Sequence, residues 1–377
     1  MAREVLREQI PAAARELPAI QARSPWQLAW RQLRRHQVAM AGGIILLILY
    51  AAALLAPFLS PYSPDFADRE RFYHPPTIPR FVDAQGRWSL RPFVYSYVRD
   101  EREPQSFRPD PARKFYLRFF VEGDHYRLLW VIPTNIHLFG VDPPGRIFLF
   151  GTDQFGRDLF TRILFGGQVS LVVGLLGISI SIPVGMLIGG IAGFYGGRVD
   201  NILMRIVEII FAFPGLYLLL ALAAVLPPTL PSTTRFFLIV LVLSSIGWAG
   251  FARVIRGLVL SIREREYVLA ARAIGTSDLM IIWRHILPNT LSYVIVAATL
   301  AIPGYILGES TLSFLGLGVR EPQTSWGNLL AAATNIQAMT LYPWLLIPGV
   351  FIFLAVLSYN LFGDGLRDAL DPRLRTL

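Results

Sequence analysis

The sequence predicts an all-α polytopic membrane protein with six transmembrane helices and a small β-rich external insertion between the first two. Charged residues make up only 16% of the 377 residues, and hydrophobic residues make up 54%. The mean hydropathy is correspondingly high, at +0.48. Six apolar stretches approach the roughly 20 residues that a helix needs to cross a bilayer. The segment after the first stretch has a different, strand-like pattern.

The first apolar stretch, residues 38–59, begins too deep in the chain for a usual cleaved signal peptide. We therefore expect a retained first span after a cytoplasmic segment, residues 1–37. Five further stretches lie near residues 168–192, 203–226, 236–251, 290–313 and 344–362. Six such stretches are more than the buried helices of a soluble core would supply, so they predict a membrane domain.

Glycines recur along the second stretch, and they predict a helix that packs closely against its neighbours. Gly174, Gly177, Gly185, Gly189 and Gly190 all lie within it. Helix backbones approach each other in lipid where side chains are small.

Basic residues predict the orientation of the spans, because short cytoplasmic loops carry an excess of arginine. Eighteen arginines lie in the two terminal segments and in the loops after the second and fourth spans, against two in the other short loops, Arg235 and Arg320. Both termini are therefore expected in the cytoplasm, with residues 364–377 as the tail. The 60–150 segment is long enough to be exempt from this rule and is predicted to be external.

The external segment is predicted to hold a small β-rich domain, at about residues 63–151. Strand-like runs occupy 114–121, 126–132, 136–141 and 146–150, and they are separated at 122–124 and 142–145 by acidic, glycine and proline residues. The pattern leaves open whether this domain contacts a partner or is a structural cap.

The longest internal loop, residues 253–289, shows two helical patterns. In the first, Tyr267, Ala270, Ala271 and Ile274 form a narrow apolar stripe. Gly275 is placed to end this helix. Thr276 or Ser277 would cap a second helix with Asp278 in its first turn. The apolar stripe of the second helix is Leu279, Ile282, Trp283 and Ile286, and Pro288 is expected to end it.

The first of these helices has small residues at its centre and charges at its rim, including Glu266 and Arg272. This pattern suits a helix that docks into a groove on a partner protein. It also suits an interfacial helix that lies flat on anionic lipid. Composition alone leaves both open.

The same loop resembles the cytoplasmic signature loop of binding-protein-dependent ABC importer permeases. The family pattern is Glu-Ala-Ala, three residues, Gly, nine residues, then Ile-x-Leu-Pro, and here Ala270, Ala271, Gly275, Leu287 and Pro288 match it. The sequence departs at two positions, where Leu269 replaces Glu and His285 replaces Ile. Both departures are usual in the oligopeptide/dipeptide/nickel branch, and five further segments, beginning at residues 151, 193, 312, 325 and 363, resemble that branch.

The resemblance implies a type I ABC importer fold and a set of partners. The partners would be a second, non-identical permease subunit, two ATPase subunits that bind ATP and magnesium, and a substrate-binding protein outside the membrane. The ATPase-coupling residues would be Glu266, Tyr267, Ala270, Ala271, Arg272, Gly275, Asp278, Leu287 and Pro288. The location would be the cytoplasmic membrane of a bacterium or archaeon, and the substrate would be peptides first, with nickel or another small solute as the alternative. The family comparison does not extend to the 60–150 insertion.

Ionisable residues in and near the spans are further candidates, because such residues are costly in lipid. Glu309 and Ser310 lie in the fifth stretch, where the acid either faces the translocation path or is hydrogen-bonded for packing. Asp153, Arg157 and Asp158 precede the second stretch on the external side, where they form an entrance or cap the helix. Arg205 and Glu208 are spaced to pair on one helix face.

Several other classes of protein are disfavoured by the sequence. There is no cysteine, and the single lysine, Lys114, follows no glycine-rich loop, so this chain has no Walker A site. A serine protease would need a histidine base, and none of the five histidines lies in a predicted span. We expect no cofactor, metal or nucleic acid bound to this chain. An ion-driven secondary transporter remains the rival, because broken helices and a buried acid also suit it.

Overall fold

The computed structural model describes residues 25–99 and 106–371, and the remaining terminal segments, including Arg373 of the predicted tail, lie outside the described residues. The chain folds into a helical bundle with one antiparallel sheet. The helices are α1 (Pro25–Arg35), α2 (Gln37–Leu54), α3 (Ala56–Leu59), α4 (Leu159–Tyr195), α5 (Gly197–Ala212), α6 (Gly215–Ala224), α7 (Ser232–Ile262), α8 (Glu266–Ala273), α9 (Asp278–Ile281), α10 (Leu291–Phe314), α11 (Trp326–Leu330), α12 (Ile336–Leu341) and α13 (Ile347–Leu370). The strands are β1 (Arg80–Val82), β2 (Trp88–Arg99), β3 (Phe107–Leu128) and β4 (Ile132–Val141).

Five helical segments in the described residues are long and apolar enough to cross a membrane. They are Gln37–Leu54, Leu159–Tyr195, Ser232–Ile262, Asp278–Phe314 and Pro343–Leu370. A sixth is present if α5 and α6 together form one span, and these two helices meet at an angle of 86°. The predicted straight span at 203–226 is therefore a bent pair, because Phe213 and Pro214 leave the helical conformation between them.

Helices α4 and α7 form a close pair at the centre of the bundle. A methyl group added at Gly189 would lie 2.4 Å from the carbonyl oxygen of Ala252, and one at Gly185 would lie 2.6 Å from Cβ of Phe251. Gly193, four residues further on, is equally close to α7. Three small residues at a spacing of four place one helix against the backbone of the other. The prediction of close packing from the glycines is confirmed.

The sheet lies in the chain between α3 and α4, with strand order β1-β2-β3-β4 and antiparallel pairing throughout. Strands β3 and β4 confirm the runs predicted at 114–121 and 136–141. Residues 122–124 do not end the strand as predicted. They produce a register shift within β3, and the chain reverses instead at Leu129 and Trp130.

The prediction of a last strand at residues 146–150 is wrong, because this segment is a buried loop. Ile147 and Phe148 are buried, but their backbone amides are bonded to side chains rather than to another strand. The Ile147 amide donates to the hydroxyl group of Tyr62, and the Phe148 amide donates to the hydroxyl group of Thr77. An apolar run of this length fits a buried loop as well as a strand, because periodicity does not separate the two.

Candidate functional site

Helix α8 lies where three helical segments meet. Val268 and Ala271 are its buried residues, and they pack in one apolar cluster with Phe194 of α4 and with Ile255 and Val259 of α7. The guanidinium of Arg272 lies 4.7 Å from the ring centre of Phe194. These contacts fix the short helix to the ends of the long ones, so a force applied to α8 reaches α4 and α7 directly.

The end of α8 confirms the predicted role of Gly275. The residue has φ +82°, in the left-handed region that glycine adopts without steric cost. The Gly275 amide donates to the carbonyl of Arg272, and the Thr276 amide donates to the carbonyl of Ala271. This pair of bonds is the Schellman arrangement, which satisfies the last carbonyl groups of a helix.

The outward face of α8 differs from the predicted stripe. Ala271 is only 6% exposed and points into this chain, whereas Tyr267 and Ile274 are 40% and 83% exposed. Ala270 and Glu266 are exposed on the same side as these two residues. Ala271 was predicted to lie on the docking stripe with these residues, but here it is buried in the cluster that includes Ile255 and Val259 of α7.

The second predicted helix of the loop does not end at Pro288. After α9 the chain continues through a π-helical turn at Ile282–Ile286 and a 3-10 turn at Leu287–Thr290 into α10. Pro288 lies in the first turn of its segment, where a missing amide hydrogen costs little. Ser277 precedes Asp278, the first residue of α9, but its side chain makes no capping bond. Leu287 is buried, so it anchors this segment rather than contacting a partner.

Exposed apolar residues continue along the chain from α8 into α9 and the π-helical turn after it. Leu279 and Met280 of α9 and Trp283 of the turn are each about half exposed. We call Tyr267, Ala270, Ile274, Leu279 and Trp283 the coupling face. Charged groups surround it, including the exposed Glu266 and the Arg263–Glu264 ion pair at 2.9 Å. Contiguous apolar surface with a polar rim is typical of a protein docking site.

An ion network joins the loop before α4 and the first turn of α4 to the loop before α11. Arg162 donates to Asp153 at 2.9 Å and to Glu321 at 2.6 Å. Arg157 pairs with the same two acids, at 2.8 Å each. Arg162 is the group that sequence reasoning missed, because the predicted span began at residue 168 and left it outside. Its position, four residues after Asp158 at the start of a long apolar run, was the available signal.

Asp158 caps α4, which is one of the two roles predicted for it; the other was to form an entrance. Its carboxylate accepts from the Thr161 amide at 2.8 Å and from the Thr161 hydroxyl at 2.6 Å. Burial raises the pKa of this carboxyl to about 7, and the Thr161 hydrogen bonds offset only part of that rise.

The ion network beside Asp158 borders a cleft of about 630 Å³, lined in addition by Tyr73, Asn328 and Leu345.

Glu309 is fully buried within this chain. Its carboxylate accepts hydrogen bonds from Ser313 of α10 at 2.6 Å and from Ser170 of α4 at 3.1 Å. Ser310 is also buried, and its carbonyl lies against Gly327 of α11. Glu309 was predicted either to face the translocation path or to be hydrogen-bonded for packing. These contacts favour packing, because the acid joins α10 to α4 and has no exposed surface.

Two further ion pairs lie on the helices around the coupling face. Arg256 of α7 pairs through two hydrogen bonds with Asp200 of α5, and Nε–Oδ1 is 2.7 Å. Arg205 and Glu208 pair on α5 at 3.1 Å, as their spacing predicted, and both are exposed. An exposed pair of this kind contributes little stability.

The long apolar helices and the short anchored helix with its exposed face are together those of a multi-pass membrane permease subunit. A family model described as the binding-protein-dependent transport system inner membrane component matches residues 185–376, and a model of the N-terminal TM domain of oligopeptide transport permease C matches residues 24–76. The chain belongs to this family of ABC importer permeases, in which ATP hydrolysis is carried out by partner subunits.

Curated relatives cover nearly all of the chain. It is 35% identical over 351 residues to the dipeptide transport system permease protein DppC of Bacillus subtilis, covering 93% of this chain and 86% of that protein. It is 32% identical to the glutathione transport system permease protein GsiD of Pectobacterium atrosepticum, covering 94% and 93%. It is 44% identical to the oligopeptide transport system permease protein OppC of Haemophilus influenzae, covering 60% and 70%.

Proposed function

We propose that this chain forms half of the translocation path of a peptide importer, together with a second, non-identical permease subunit. Its relatives include proteins named for dipeptide, oligopeptide and glutathione transport, and these share a peptide backbone with free termini. A substrate-binding protein would deliver the peptide outside, and two ATPase subunits would bind ATP and magnesium inside. Nickel or another small solute remains the alternative cargo.

The observation that carries the proposal is the two-sided character of α8. One side, Val268 and Ala271, is buried against α4 and α7. The other side belongs to the coupling face and has no partner within the described chain. An ATPase cleft that holds the exposed side would move α8 when it closes on ATP, and the buried side would pass that movement to the spans. The coupling is mechanical, so loss of either side uncouples hydrolysis from transport.

The proposed orientation follows from charge. Arg256, Arg263, Arg265 and Arg272 all lie in the 253–289 segment that carries the coupling face, and an excess of arginine favours the cytoplasmic side. Both termini are then cytoplasmic, and the sheet and the ion network are external. The membrane would be the inner membrane of a bacterium or archaeon.

The external cleft beside Arg157 and Glu321 is proposed as the entrance to the path. In this proposal Asp153, Arg157 and Asp158 shape the entrance by fixing the loop before α4 to the loop before α11. Glu309 would act one layer deeper by holding α10 against α4, without contacting the peptide. The sheet would contact the binding protein, and cross-links from residues 80–99 that never reach that protein would argue against this contact.

Uptake into proteoliposomes tests the proposal. Radiolabelled di- and tripeptides should enter only when both permease subunits, both ATPases, the binding protein and ATP are present. An otherwise identical preparation with an ATPase inactive for hydrolysis is the matched control. Ion-gradient-driven uptake by this chain alone would overturn the ATPase-coupled mechanism, whereas ATP-driven uptake of nickel but not of peptides would overturn the substrate alone.

A further inference from the structure

The hairpin formed by β3 and β4 ends in an exposed apolar tip that the transport proposal does not use. Leu129, Trp130, Val131 and Ile132 follow one another there, and Trp130 and Val131 are 71% and 77% exposed. A loop tip on a water-soluble domain is ordinarily polar. Four consecutive exposed apolar residues are instead typical of a surface that contacts something apolar.

The turn itself is built from residues that suit it poorly. Leu129 and Trp130 both have positive φ, at 52° and 60°, and the Val131 amide closes the turn on the carbonyl of Leu128. Three residues, 129–131, connect the paired Leu128 and Ile132. Turn positions with positive φ favour Gly and Asn, because large side chains are strained in the left-handed region. The tip therefore carries large apolar residues at the two positions where the backbone disfavours them most.

The hairpin rests on the ends of two spans. Phe139 of β4 contacts Phe160 in the first turn of α4, with the ring centres 5.9 Å apart. Two residues further along the hairpin, the ring of His137 bonds to the carbonyl of Ser60, just after α3, at 2.7 Å. Phe120 also contacts Phe58 of α3. These contacts hold β3 and β4 against the start of α4 and against the end of α3.

The hairpin extends well beyond its contact with Ser60. Ile132 precedes His137 by five positions in β4, which is a reach of roughly 15 Å at the usual rise of a strand. The side of α2 turned away from the bundle exposes Ile44, Leu47 and Ile48, and residues of this type on a span face lipid. Large apolar residues are therefore exposed both at the hairpin tip and on the outer side of the first span.

We infer that the tip of this hairpin, residues 129–132, inserts into the outer leaflet of the bilayer as an interfacial anchor for the sheet. Tryptophan favours this zone, because its ring is apolar and its N–H remains accessible to water. In the part of the hairpin beyond Leu117, Arg118 and Arg127 are balanced by Glu122 and Asp124. Insertion then depends on apolar contact and not on anionic headgroups.

The absence of cysteine from the chain makes a direct test possible. In the assembled transporter, Val131→Cys carries an environment-sensitive fluorophore, and the vesicles contain lipids with a nitroxide near the headgroup. Gln85→Cys, in the exposed turn between β1 and β2, is the matched control. We expect blue-shifted emission and roughly twofold or greater quenching by the labelled lipid at 131 relative to 85, in phosphatidylcholine with or without phosphatidylglycerol.

A second variant separates the apolar tip from the turn. Leu129→Asn with Trp130→Gly gives the turn its favoured residues and removes two large side chains, so we expect the hairpin to persist and the quenching at 131 to fall to that of the control. Quenching that survives this change, or equals the control without it, overturns the inference. Blue-shifted emission that nitroxide lipids do not quench also overturns it, because the tip is then covered by protein.

Discussion

Placing the same charge on the two sides of α8 is expected to give two different failures. Ala271→Glu puts a carboxylate into the cluster of Phe194, Ile255 and Val259, where Ala271 is only 6% exposed. A buried charge without a partner costs roughly 3–5 kcal/mol, a large part of the stability of an ordinary domain. We expect α8 to detach and the yield of folded chain to fall.

Ala270→Glu places the same group on the exposed side. Repulsion from Glu266, four residues earlier, and from the end of the helix dipole should cost less than about 1 kcal/mol. The chain should therefore fold and insert as the unmodified protein does. Because the charge now lies within the coupling face, the ATPase subunits should no longer co-purify and peptide uptake should stop.

The assay combines thermal unfolding of the purified chain with ATPase co-purification and uptake. The expected pattern is a lowered unfolding temperature for Ala271→Glu and an unchanged one for Ala270→Glu, with transport lost in both. Normal ATPase binding and uptake in Ala270→Glu would refute the assignment of the coupling face. Normal stability in Ala271→Glu would refute the anchoring role.

Three further outcomes are expected. Gly189→Leu should prevent folding, at a cost of roughly 3 kcal/mol or more, because α7 leaves no room there. Gly250→Leu, where a side chain meets open space, should fold normally. Size-exclusion chromatography of the two variants separates these outcomes. Arg162→Met should cost roughly 1.5–3 kcal/mol, because the buried Asp153 loses a charged hydrogen-bond partner while its pairing with Arg157 remains, whereas Arg205→Met, at an exposed pair, should cost under about 1 kcal/mol in the same thermal assay. Relative to the unmodified protein, Asp158→Asn should become progressively more stabilising as pH rises from 4 to 8. The pKa of Asp158 is raised to about 7 in the folded chain, so its ionisation opposes folding, and Asn does not ionise. Equal unfolding temperatures for the two proteins across that range would contradict the burial of this charge.

Sequence patterns predicted the long features of this protein well. Apolar length predicted the spans, and Gly275 predicted the end of α8, because both depend on local chemistry. The glycines of the second stretch predicted that α4 packs closely against its neighbours. Each of these predictions needs only the residues of a single segment of the chain.

The features that were missed depend on what lies next to a residue in space. The stripe of α8 was assigned to a partner, but helical spacing does not reveal that α7 already covers Ala271. Strand β2 was not predicted, because its apolar residues are interrupted by Arg91 and Pro92 and its pairing with β3 supplies the missing stability. Arg162 was overlooked because an arginine inside a long apolar helix is tolerated only when acids from a distant loop, here Glu321, surround it.

Protection of single cysteines on α8 tests the coupling face most directly. In the cysteine-free chain, Ala270→Cys and Ala271→Cys are labelled with a maleimide before and after the ATPase subunits bind. The account predicts that Cys at 270 reacts in the free chain and is protected in the complex, whereas Cys at 271 reacts slowly in both. Equal labelling of position 270 with and without the ATPase subunits would contradict it.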